Sequence, residues 1–443
     1  MWTDYFGFDE RRSSLRIEVV AGITTFLTTA YIIFVNPSIL GDAGMDKQAL
    51  VAVTCIVSAI ATILMGAFGK APIAMAPGMG LNAFFAYTLV LTDGLSWETA
   101  LGVVFLSGLF FLILTFLGLR RKLVEAIPPS LISAISVGIG LFITFIGLQN
   151  LGLVEASETT LVQAGKVTPT ALIGLAGLIV MLFLEMRKVK GSLLIGILFA
   201  TALAGVLGYI HKPEAWISLN VDIRAVAFKL DILGALKWSL FGSIFTLMFI
   251  DMFDSIGTLV ACCHQAGMVE DDNRIKGLDR LLGIDAVATM IGAVFGTSTT
   301  TAYIESAAGI EQGGRTGVTA IVTGVMFLLA LLFVPVIGVV PTYATAPALM
   351  MVGLFMMKEV GKIDFSRMDE AFPAFIIMVL IALSYSISTG LAFGFISFVV
   401  IKVVAGKPGE IKGAMWVIAL LSLAFLGLDQ LPFLWERWCS SIS

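Results

Sequence analysis

Three carboxylates stand inside segments that are otherwise apolar. Asp251 and Asp254 lie three residues apart within the stretch 247–259, and Glu305 follows a run of threonines. A charged side chain at the centre of a bilayer costs at least about 2.5–3.5 kcal/mol. Neither stretch contains a basic residue that could neutralise these acids. Acidic residues in such surroundings usually mark the path of a substrate or an ion.

The spacing of the two aspartates adds a second expectation. Residues three apart lie on the same face of a helix, so Asp251 and Asp254 are predicted to be neighbours. Two nearby carboxylates in a medium of low dielectric favour retention of a proton by one of them. We therefore take Asp254, Asp251 and Glu305 as candidate proton-coupling residues. Capping of a helix start is the structural alternative for Asp251.

Two short segments in matching places of the two halves interrupt the apolar pattern. In the first, Pro72 and Pro77 remove helix hydrogen bonds while Gly78 and Gly80 loosen the backbone. In the second, residues 297–301 read Thr-Ser-Thr-Thr-Thr, a polar and mostly β-branched run that favours extended chain. Both segments are expected to be partly extended.

Extended backbone at membrane depth occurs where it lines a cavity or is buried in protein. A pair of broken segments in corresponding positions is the best sequence indication of a binding site. We expect two half-helices whose N-termini meet at the membrane midplane, the second beginning near Tyr303. Ordinary irregularity of a membrane helix rich in glycine and proline is the alternative.

The composition of the 443-residue chain is that of a membrane protein. Hydrophobic residues make up 58% and charged residues 13%, against about half and a quarter in soluble proteins. A membrane helix needs roughly 20 apolar residues. Seven apolar runs occur in each half: 17–37, 49–68, 79–91, 97–118, 129–149, 170–186 and 191–210, then 237–263, 281–296, 303–311, 315–334, 343–357, 371–386 and 388–405.

These runs predict an all-α polytopic membrane protein with 14 transmembrane segments. Because seven is odd, the two seven-segment repeats must insert with inverted topology. A cytoplasmic N-terminus (1–16) places most of the 27 basic residues on the cytoplasmic side, as in a protein of the cell (inner) membrane. The first repeat is expected at 17–212 and the second at 213–405. An apolar or interfacial segment at 406–443 either crosses the membrane or lies on its surface.

Other classes of function find little support in the sequence. No basic patch indicates nucleic acid, and the four cysteines and two histidines show no metal-ligand spacing. The stretch 313–317 (GGRTG) lacks the lysine and the spacing of a phosphate-binding loop. We expect neither an enzyme nor a cofactor or metal. A scaffold role would leave the buried acids unexplained.

Four motifs bring a family resemblance into view. They are 76–83 (APGMGLNA), 251–258 (DMFDSIGT), 299–306 (TTTAYIES) and 313–317 (GGRTG). The chain resembles the nucleobase–cation symporters, also called nucleobase–ascorbate or xanthine/uracil permeases, over most of its length from Tyr5 to about Gly406. Within that family it is most similar to the azaguanine-like branch of purine permeases.

The resemblance implies a particular architecture. A core domain would comprise 17–118 and 237–334, and a gate domain 129–210 and 343–405. Short strands would precede the half-helices of segments 3 and 10, and the substrate would bind between them. The family also implies a homodimer in the lipid bilayer.

The same resemblance implies the site residues. The key acids of segments 8 and 10 fall on Asp254 and Glu305, and the polar residue of segment 3 falls on Asn82. Thr258 stands where some relatives carry a histidine, which argues against a histidine-based proton relay. The candidate substrate-binding residues are Glu305, Asp254, Asn82, Thr301, Ser306, Tyr303, Thr258, Phe84 and Phe249, the last two and Tyr303 as stacking partners.

The expected function is uptake of purine bases, with guanine and hypoxanthine favoured, by proton symport with alternating access. A carboxylate accepts two hydrogen bonds, and guanine presents two adjacent donors. An adenine permease of the same family is the first alternative. Sodium coupling through the hydroxyls of 299–301 and a carboxylate is another. An anion transporter or exchanger of the same fold ranks lower, because the acids would repel an anion.

Overall fold

The structure is a computed structural model that describes residues 5–8, 11, 13–117, 127–210, 215–218, 222–237, 240–268, 275 and 277–442, with side chains described up to Gly427. Parts of the predicted cytoplasmic segment 1–16 therefore lie outside the described residues. So do the side chains of Trp435 and Trp438 near the end of the chain.

The first half of the chain forms eight α-helices, one π-helix and three short strands among its described residues. In chain order these are α1 (Leu15–Thr29), α2 (Ile32–Asp42), α3 (Lys47–Ala67), β1 (Met75–Pro77), α4 (Met79–Ala83), a π-helix (Phe84–Thr92), α5 (Trp97–Phe116), α6 (Pro129–Asn150), β2 (Val154–Ser157), β3 (Leu161–Ala164), α7 (Pro169–Met186) and α8 (Ser192–Val206).

The second half repeats the pattern of long helices around one short strand. In chain order its elements are α9 (Ile232–Ala235), α10 (Phe241–Gln265), α11 (Leu278–Phe295), β4 (Thr300–Ala302), α12 (Ser306–Glu311), α13 (Gly317–Ala330), α14 (Val334–Ile337), α15 (Thr342–Met356), α16 (Met368–Ser384), α17 (Ile387–Val404) and α18 (Gly413–Ile442). Three turns of 3₁₀-helix, Leu331–Phe333, Met357–Lys362 and Pro408–Glu410, join some of them.

Eight helical segments of the described chain are long and apolar enough to cross a membrane. They are Leu15–Asp42, Lys47–Ala67, Trp97–Phe116, Pro129–Asn150, Pro169–Met186, Phe241–Gln265, Gly317–Ile337 and Ile387–Val404. Shorter apolar helices run over Met79–Thr92, Ser192–Val206 and Gly413–Gly427. The protein is therefore a mostly helical, multi-pass membrane protein. The count of 14 crossings and the inversion of the repeats stay predictions.

Helices from the two halves of the chain pack closely against each other at glycines. α13 packs against α1 and α3, so the second half contacts the first along most of a helix. A Cβ added to Gly317 would lie 1.9 Å from the Gly66 carbonyl oxygen, and one added to Gly66 would lie 2.4 Å from the Gly317 carbonyl oxygen. Only glycine allows this backbone approach, which is the usual way that membrane helices pack closely.

A buried glutamate joins the same helices. Glu18 of α1 is fully buried, and its carboxylate accepts hydrogen bonds from the backbone N–H groups of Arg315 (3.1 Å), Thr316 (3.2 Å) and Thr319 (3.2 Å). The hydroxyls of Ser13 and Thr319 also donate to it. An anionic acceptor at the first turn of a helix satisfies donors that have no partner within that helix. Glu18 therefore caps α13 from a different helix.

A second group of helices packs around α6. This helix contacts α15 and α16, and α16 contacts α17. A Cβ added to Gly353 of α15 would lie 1.9 Å from the Thr144 hydroxyl and 2.5 Å from the Gly140 carbonyl oxygen, so α6 and α15 also meet backbone to backbone. These helices belong to the segments that the family resemblance assigns to the gate.

Candidate functional site

The two broken segments meet as a short β-ladder inside the helical protein. β1 and β4 pair antiparallel, with Pro77 opposite Thr300. The ladder extends at both ends, where Tyr303 N–H donates to Ala74 O and Gly78 N–H donates to Thr299 O, each at 2.9 Å. Because both strands are fully buried, this pairing satisfies backbone groups that water cannot reach.

Side chains satisfy the outer edge of β1. The Thr62 hydroxyl lies 2.9 Å from both the N–H and the carbonyl of Met75, and the Ser306 hydroxyl accepts a hydrogen bond from Ala74 N–H at 2.9 Å. The Tyr303 hydroxyl donates to Pro77 O at 2.5 Å. In this conformation the hydroxyls of Ser306 and Tyr303 therefore form hydrogen bonds with backbone atoms. Thr301, inside β4, is buried as well.

Glu305 follows the ladder directly and precedes the first turn of α12. Its side chain is half-buried, and Oε1 accepts a hydrogen bond from the Tyr31 hydroxyl at 2.5 Å. The Thr28 hydroxyl lies 3.3 Å from the Glu305 backbone carbonyl. Residue 305 is thus held at both its carboxylate and its backbone by residues at the end of α1 and just after it.

Asp254 is exposed although it lies in the middle of the 25-residue helix α10. It interacts electrostatically with Glu305, and α10 contacts the half-helix α12 that follows Glu305. Gly257, Ala261 and His264 are exposed on the same helix face, and a Cβ at Gly257 would meet open space. We interpret this exposed stripe, which runs from Asp254 to the C-terminal end of α10, as one wall of an open cleft beside the two carboxylates. Thr258 is half-buried beside it.

Asp251 occupies a different environment. It is fully buried, and its Oδ2 accepts a hydrogen bond from the Thr289 hydroxyl at 3.1 Å, while that hydroxyl also lies 3.2 Å from Thr300 O. Asp285 of α11, which is fully buried too, interacts electrostatically with Asp251. The two aspartates, expected on one helix face, therefore lie in different environments. Asp251 is turned toward α11 and β4, and Asp254 toward the cleft.

Asn82 belongs to a buried polar network. Its amide donates to Asn36 Oδ1 at 2.7 Å, and its own oxygen accepts from the Ser298 hydroxyl. Asn36 in turn donates to the hydroxyls of Thr54 (2.7 Å) and Thr297 (3.1 Å). This network links α2, α3, the first half-helix and the residues before β4. Asn82 therefore holds the two broken segments together.

The three aromatic candidates are buried. Phe84 is completely inaccessible, and Tyr303 and Phe249 are 6% and 1% exposed. The Phe249 ring contacts the rings of Phe253 and Phe395, with centroids 4.6 and 5.7 Å apart. Stacking of a substrate on any of these rings stays a prediction, because in this conformation all three pack within the protein.

Several site residues were missed from the sequence. The expectation that only three acidic residues lie within spans is wrong, since the helices α1 and α11 contain Glu18 and Asp285. Asp285 could have been identified from the sequence, because it is an acidic residue in an apolar stretch, as Asp251 is. Tyr31 and Asn36 were harder to identify, because a polar group in an apolar run is a weaker indication than an acid. Only tertiary structure brings them to Glu305 and Asn82.

The fold and the site define a multi-pass membrane protein whose acidic cleft lies next to two broken helical segments. The family model of the xanthine/uracil permeases, described as a permease family, matches residues 16–393. The chain belongs to this family.

Relatives with this sequence pattern are permeases over nearly their whole length. The chain is 45% identical to a putative permease of Methanocaldococcus jannaschii, covering 96% of this chain and 98% of the relative. It is 42% identical to the guanine/hypoxanthine permease PbuG of Bacillus subtilis, covering 95% and 99%. It is 39% identical to the adenine permease AdeP of Escherichia coli, covering 94% of each. None of these relatives is described as an enzyme.

A solved structure shares the fold at low sequence identity. The transmembrane domain of a cyanobacterial bicarbonate transporter, BicA, superposes with a TM-score of 0.66 at 16% identity, covering 84% of this chain and 97% of that domain. At this identity the likeness concerns the fold alone.

Proposed function

We propose that this protein is a secondary active transporter that imports purine nucleobases, guanine and hypoxanthine in preference to adenine, by proton symport. The observation that carries the proposal is the pair of carboxylates, Asp254 and Glu305, at one open cleft beside the paired strands. Neither α10 nor α12 contains a lysine or arginine that would neutralise them.

The chemistry of the pair suits a base that offers N–H donors. An ionised carboxylate only accepts hydrogen bonds, and it can accept two at once. Guanine presents N1–H beside an exocyclic amino group, and hypoxanthine presents N1–H. Adenine instead presents a ring acceptor beside its amino group, so one of its polar atoms would face a carboxylate oxygen without a proton between them.

Adenine remains the second candidate substrate because the relatives include an adenine permease as well as a guanine/hypoxanthine permease. An adenine permease is 39% identical to this chain and a guanine/hypoxanthine permease 42%, a difference too small to rank the bases. Competition between adenine and hypoxanthine for uptake separates the two candidates.

For coupling, we propose protonation of one of the three carboxylates Asp251, Asp254 and Glu305. Asp251 differs from the other two because it is sealed from the cleft and lies beside Asp285. Sodium is the competing ion. Within the described residues, Asp251 Oδ1 and the hydroxyls of Thr299 and Thr300 are buried without a hydrogen-bond partner. Uptake that depends on sodium and not on pH would exclude the proton mechanism.

Alternating access fits the asymmetry of the cleft. The end of the molecule away from the α10 C-terminus is closed by contacts between the expected core and gate. There Thr88 donates to the Tyr385 carbonyl at 2.9 Å. The Tyr87 ring contacts the rings of Phe142 and Tyr385 edge-on, with centroids 6.1 and 6.5 Å apart. With a cytoplasmic N-terminus, this conformation is open to the cytoplasm.

The proposal includes the arrangement in the membrane. We place the protein in the cell (inner) membrane with 14 crossings in two inverted repeats, the N-terminus in the cytoplasm and two copies forming a homodimer. The division into core and gate is supported by α6 packing with α15 and α16, and by α13 packing with α1 and α3. An anion exchanger of the same fold is not favoured, because Asp254 and Glu305 would repel the anion.

Uptake of radiolabelled hypoxanthine into proteoliposomes tests this function. Excess guanine should compete, uracil and sulfate should not, and collapse of the proton gradient should abolish accumulation. Competition by adenine alone would retain the site and reassign the substrate. Lack of uptake of any purine base by a folded protein would reject the proposal.

A further inference from the structure

Tyr31 lies behind the proposed binding carboxylate and contacts it. It occupies the two-residue break between α1 and α2, and its side chain is 2% exposed. Its hydroxyl donates to Glu305 Oε1 at 2.5 Å across a separation of 274 residues in the chain. Among the described residues, this is the side chain that donates a hydrogen bond to the Glu305 carboxylate.

We propose that Tyr31 sets the base selectivity of the cleft by holding Glu305 as a hydrogen-bond acceptor. The inference rests on the proposed function and deepens it, because it names the residue that distinguishes between purine bases. Tyr31 is buried and does not reach the cleft, so it acts through Glu305 as a positioning residue. It is not itself a contact for the base.

The Tyr31 hydroxyl has one proton, and it donates that proton in a hydrogen bond to Glu305 Oε1. A hydrogen bond donated to a carboxylate favours its ionised form, which accepts hydrogen bonds and donates none. Oε2 then remains to accept a donor from a base. A base with N1–H satisfies this oxygen, whereas adenine brings its N1 lone pair toward it.

The contact is held in place by close packing of the elements that carry it. A Cβ added to Gly309 of α12 would lie 2.0 Å from the Thr25 hydroxyl and 2.5 Å from the Ala21 carbonyl oxygen, so α12 lies directly on α1. Thr28, one turn before Tyr31, lies 3.3 Å from the Glu305 carbonyl. This close packing places the backbone of Glu305 against the end of α1, within reach of the Tyr31 hydroxyl.

Removing the Tyr31 hydroxyl should change the hydrogen-bonding pattern that the Glu305 carboxyl group presents to a base. In Tyr31→Phe the ring still fills its buried position, but Oε1 loses its donor. The carboxyl group then holds a proton more readily, and a neutral carboxyl presents one donor and one acceptor side by side. This pattern complements the N1 acceptor and the amino donor of adenine. The variant should therefore bind adenine more tightly, relative to hypoxanthine, than the parent does.

The experiment compares inhibition of labelled hypoxanthine uptake by adenine and by unlabelled hypoxanthine, at a fixed proton gradient. The ratio of the two half-inhibitory concentrations should move about tenfold toward adenine in Tyr31→Phe, as expected for a lost hydrogen bond to a charged group. Tyr343→Phe is the matched control. It removes a hydroxyl from α15 that is buried without a hydrogen-bond partner in the described structure, and it should leave the ratio unchanged.

Equilibrium binding of the two labelled bases to purified protein gives the same ratio without transport, so a variant that binds but does not transport still tests the inference. An unchanged ratio in Tyr31→Phe, or equal weakening for both bases, would overturn the role of Tyr31 while the parent's purine uptake stands. A parent that prefers adenine over hypoxanthine would overturn it too. Absence of purine binding by the parent would instead reject the proposed function itself.

Discussion

Asp251 and Asp254 lie one helical turn apart on α10, yet Asp251 is fully buried against Thr289 whereas Asp254 opens to the cleft. Two carboxylates three residues apart point about 60° apart around a helix, given 3.6 residues per turn. In this protein that rotation separates the dry interior from the cleft. We expect the two acids to have different tasks, Asp254 in contact with the substrate and Asp251 in coupling.

The first prediction compares Asp254→Asn with Asp251→Asn. Asp254→Asn should raise the hypoxanthine concentration for half-maximal uptake about tenfold, because a charged acceptor in the cleft is lost. Asp251→Asn should reduce gradient-driven accumulation more than hypoxanthine exchange between equal concentrations, since exchange needs no net proton movement. Measuring accumulation and exchange in the same proteoliposomes distinguishes them. Equal defects in both assays for both variants would contradict the division of tasks.

The second prediction concerns Thr62, whose hydroxyl serves both backbone groups of Met75. Thr62→Val keeps the shape of the side chain but leaves a buried N–H and carbonyl unpaired, which should destabilise the protein by about 1–3 kcal/mol. The midpoint of thermal unfolding in detergent should fall accordingly.

Thr115→Val is a matched control for Thr62→Val. The Thr115 hydroxyl donates to the Phe111 carbonyl within its own helix at 2.9 Å, a carbonyl that the helix already satisfies. This variant should unfold at nearly the parental temperature. If the two variants unfold at the same temperature, the strand edge does not depend on Thr62.

The third prediction concerns the cap that Glu18 provides for α13. Glu18→Ala would leave the N–H groups of Arg315, Thr316 and Thr319 without their anionic acceptor, and a hydrogen bond to a charged group contributes about 1.5–3 kcal/mol. We expect a lower unfolding temperature, and an unchanged ratio of adenine to hypoxanthine inhibition in the protein that remains folded. Glu155→Ala, in an exposed strand, is the control. A changed ratio would mean that Glu18 acts on the site.

The fourth prediction concerns which side of the membrane the cleft faces. Gly257 is exposed beside Asp254 and has open space around it, so Gly257→Cys should react with a membrane-impermeant thiol reagent. Reaction is expected in inside-out vesicles and not in right-side-out ones, and hypoxanthine should slow it. The described native cysteines, Cys55, Cys262 and Cys263, are buried.

Val162→Cys in the exposed strand β3 is the control for Gly257→Cys, with the opposite sidedness. The hairpin of β2 and β3 joins α6 to α7, which a cytoplasmic N-terminus places outside the cell. It should react only in right-side-out vesicles. Labelling of Gly257→Cys from the outside would show that the closed end of the cleft has been assigned to the wrong face.

Much of the local structure could be predicted because it depends on local chemistry. Pro77 and the threonine run 297–301 predicted extended chain, and strands formed at Met75–Pro77 and Thr300–Ala302. The apolar runs 129–149 and 170–186 became helices Pro129–Asn150 and Pro169–Met186, since long apolar segments in lipid have few alternatives to a helix.

The rest depended on packing between distant parts of the chain. The run 17–37 was expected as one helix, but the structure breaks it at Ala30 and Tyr31, so that Tyr31 meets Glu305. The first half-helix continues as a π-helix, Phe84–Thr92, which no residue pattern indicates. Asn82 was predicted to contact substrate, a role that stays untested. Its observed partners, Asn36 and Ser298, are far away in the sequence.

The central claim is that Glu305 binds the purine base in the cleft. Uptake of labelled hypoxanthine by Glu305→Gln measures this most directly, with Glu311→Gln as a control at the exposed end of the same short helix. Glu305→Gln should lose at least about 90% of uptake at limiting substrate, because a charged acceptor for N1–H is replaced by a neutral amide. Both variants should unfold near the parental temperature. Parental uptake in a folded Glu305→Gln protein would contradict the account.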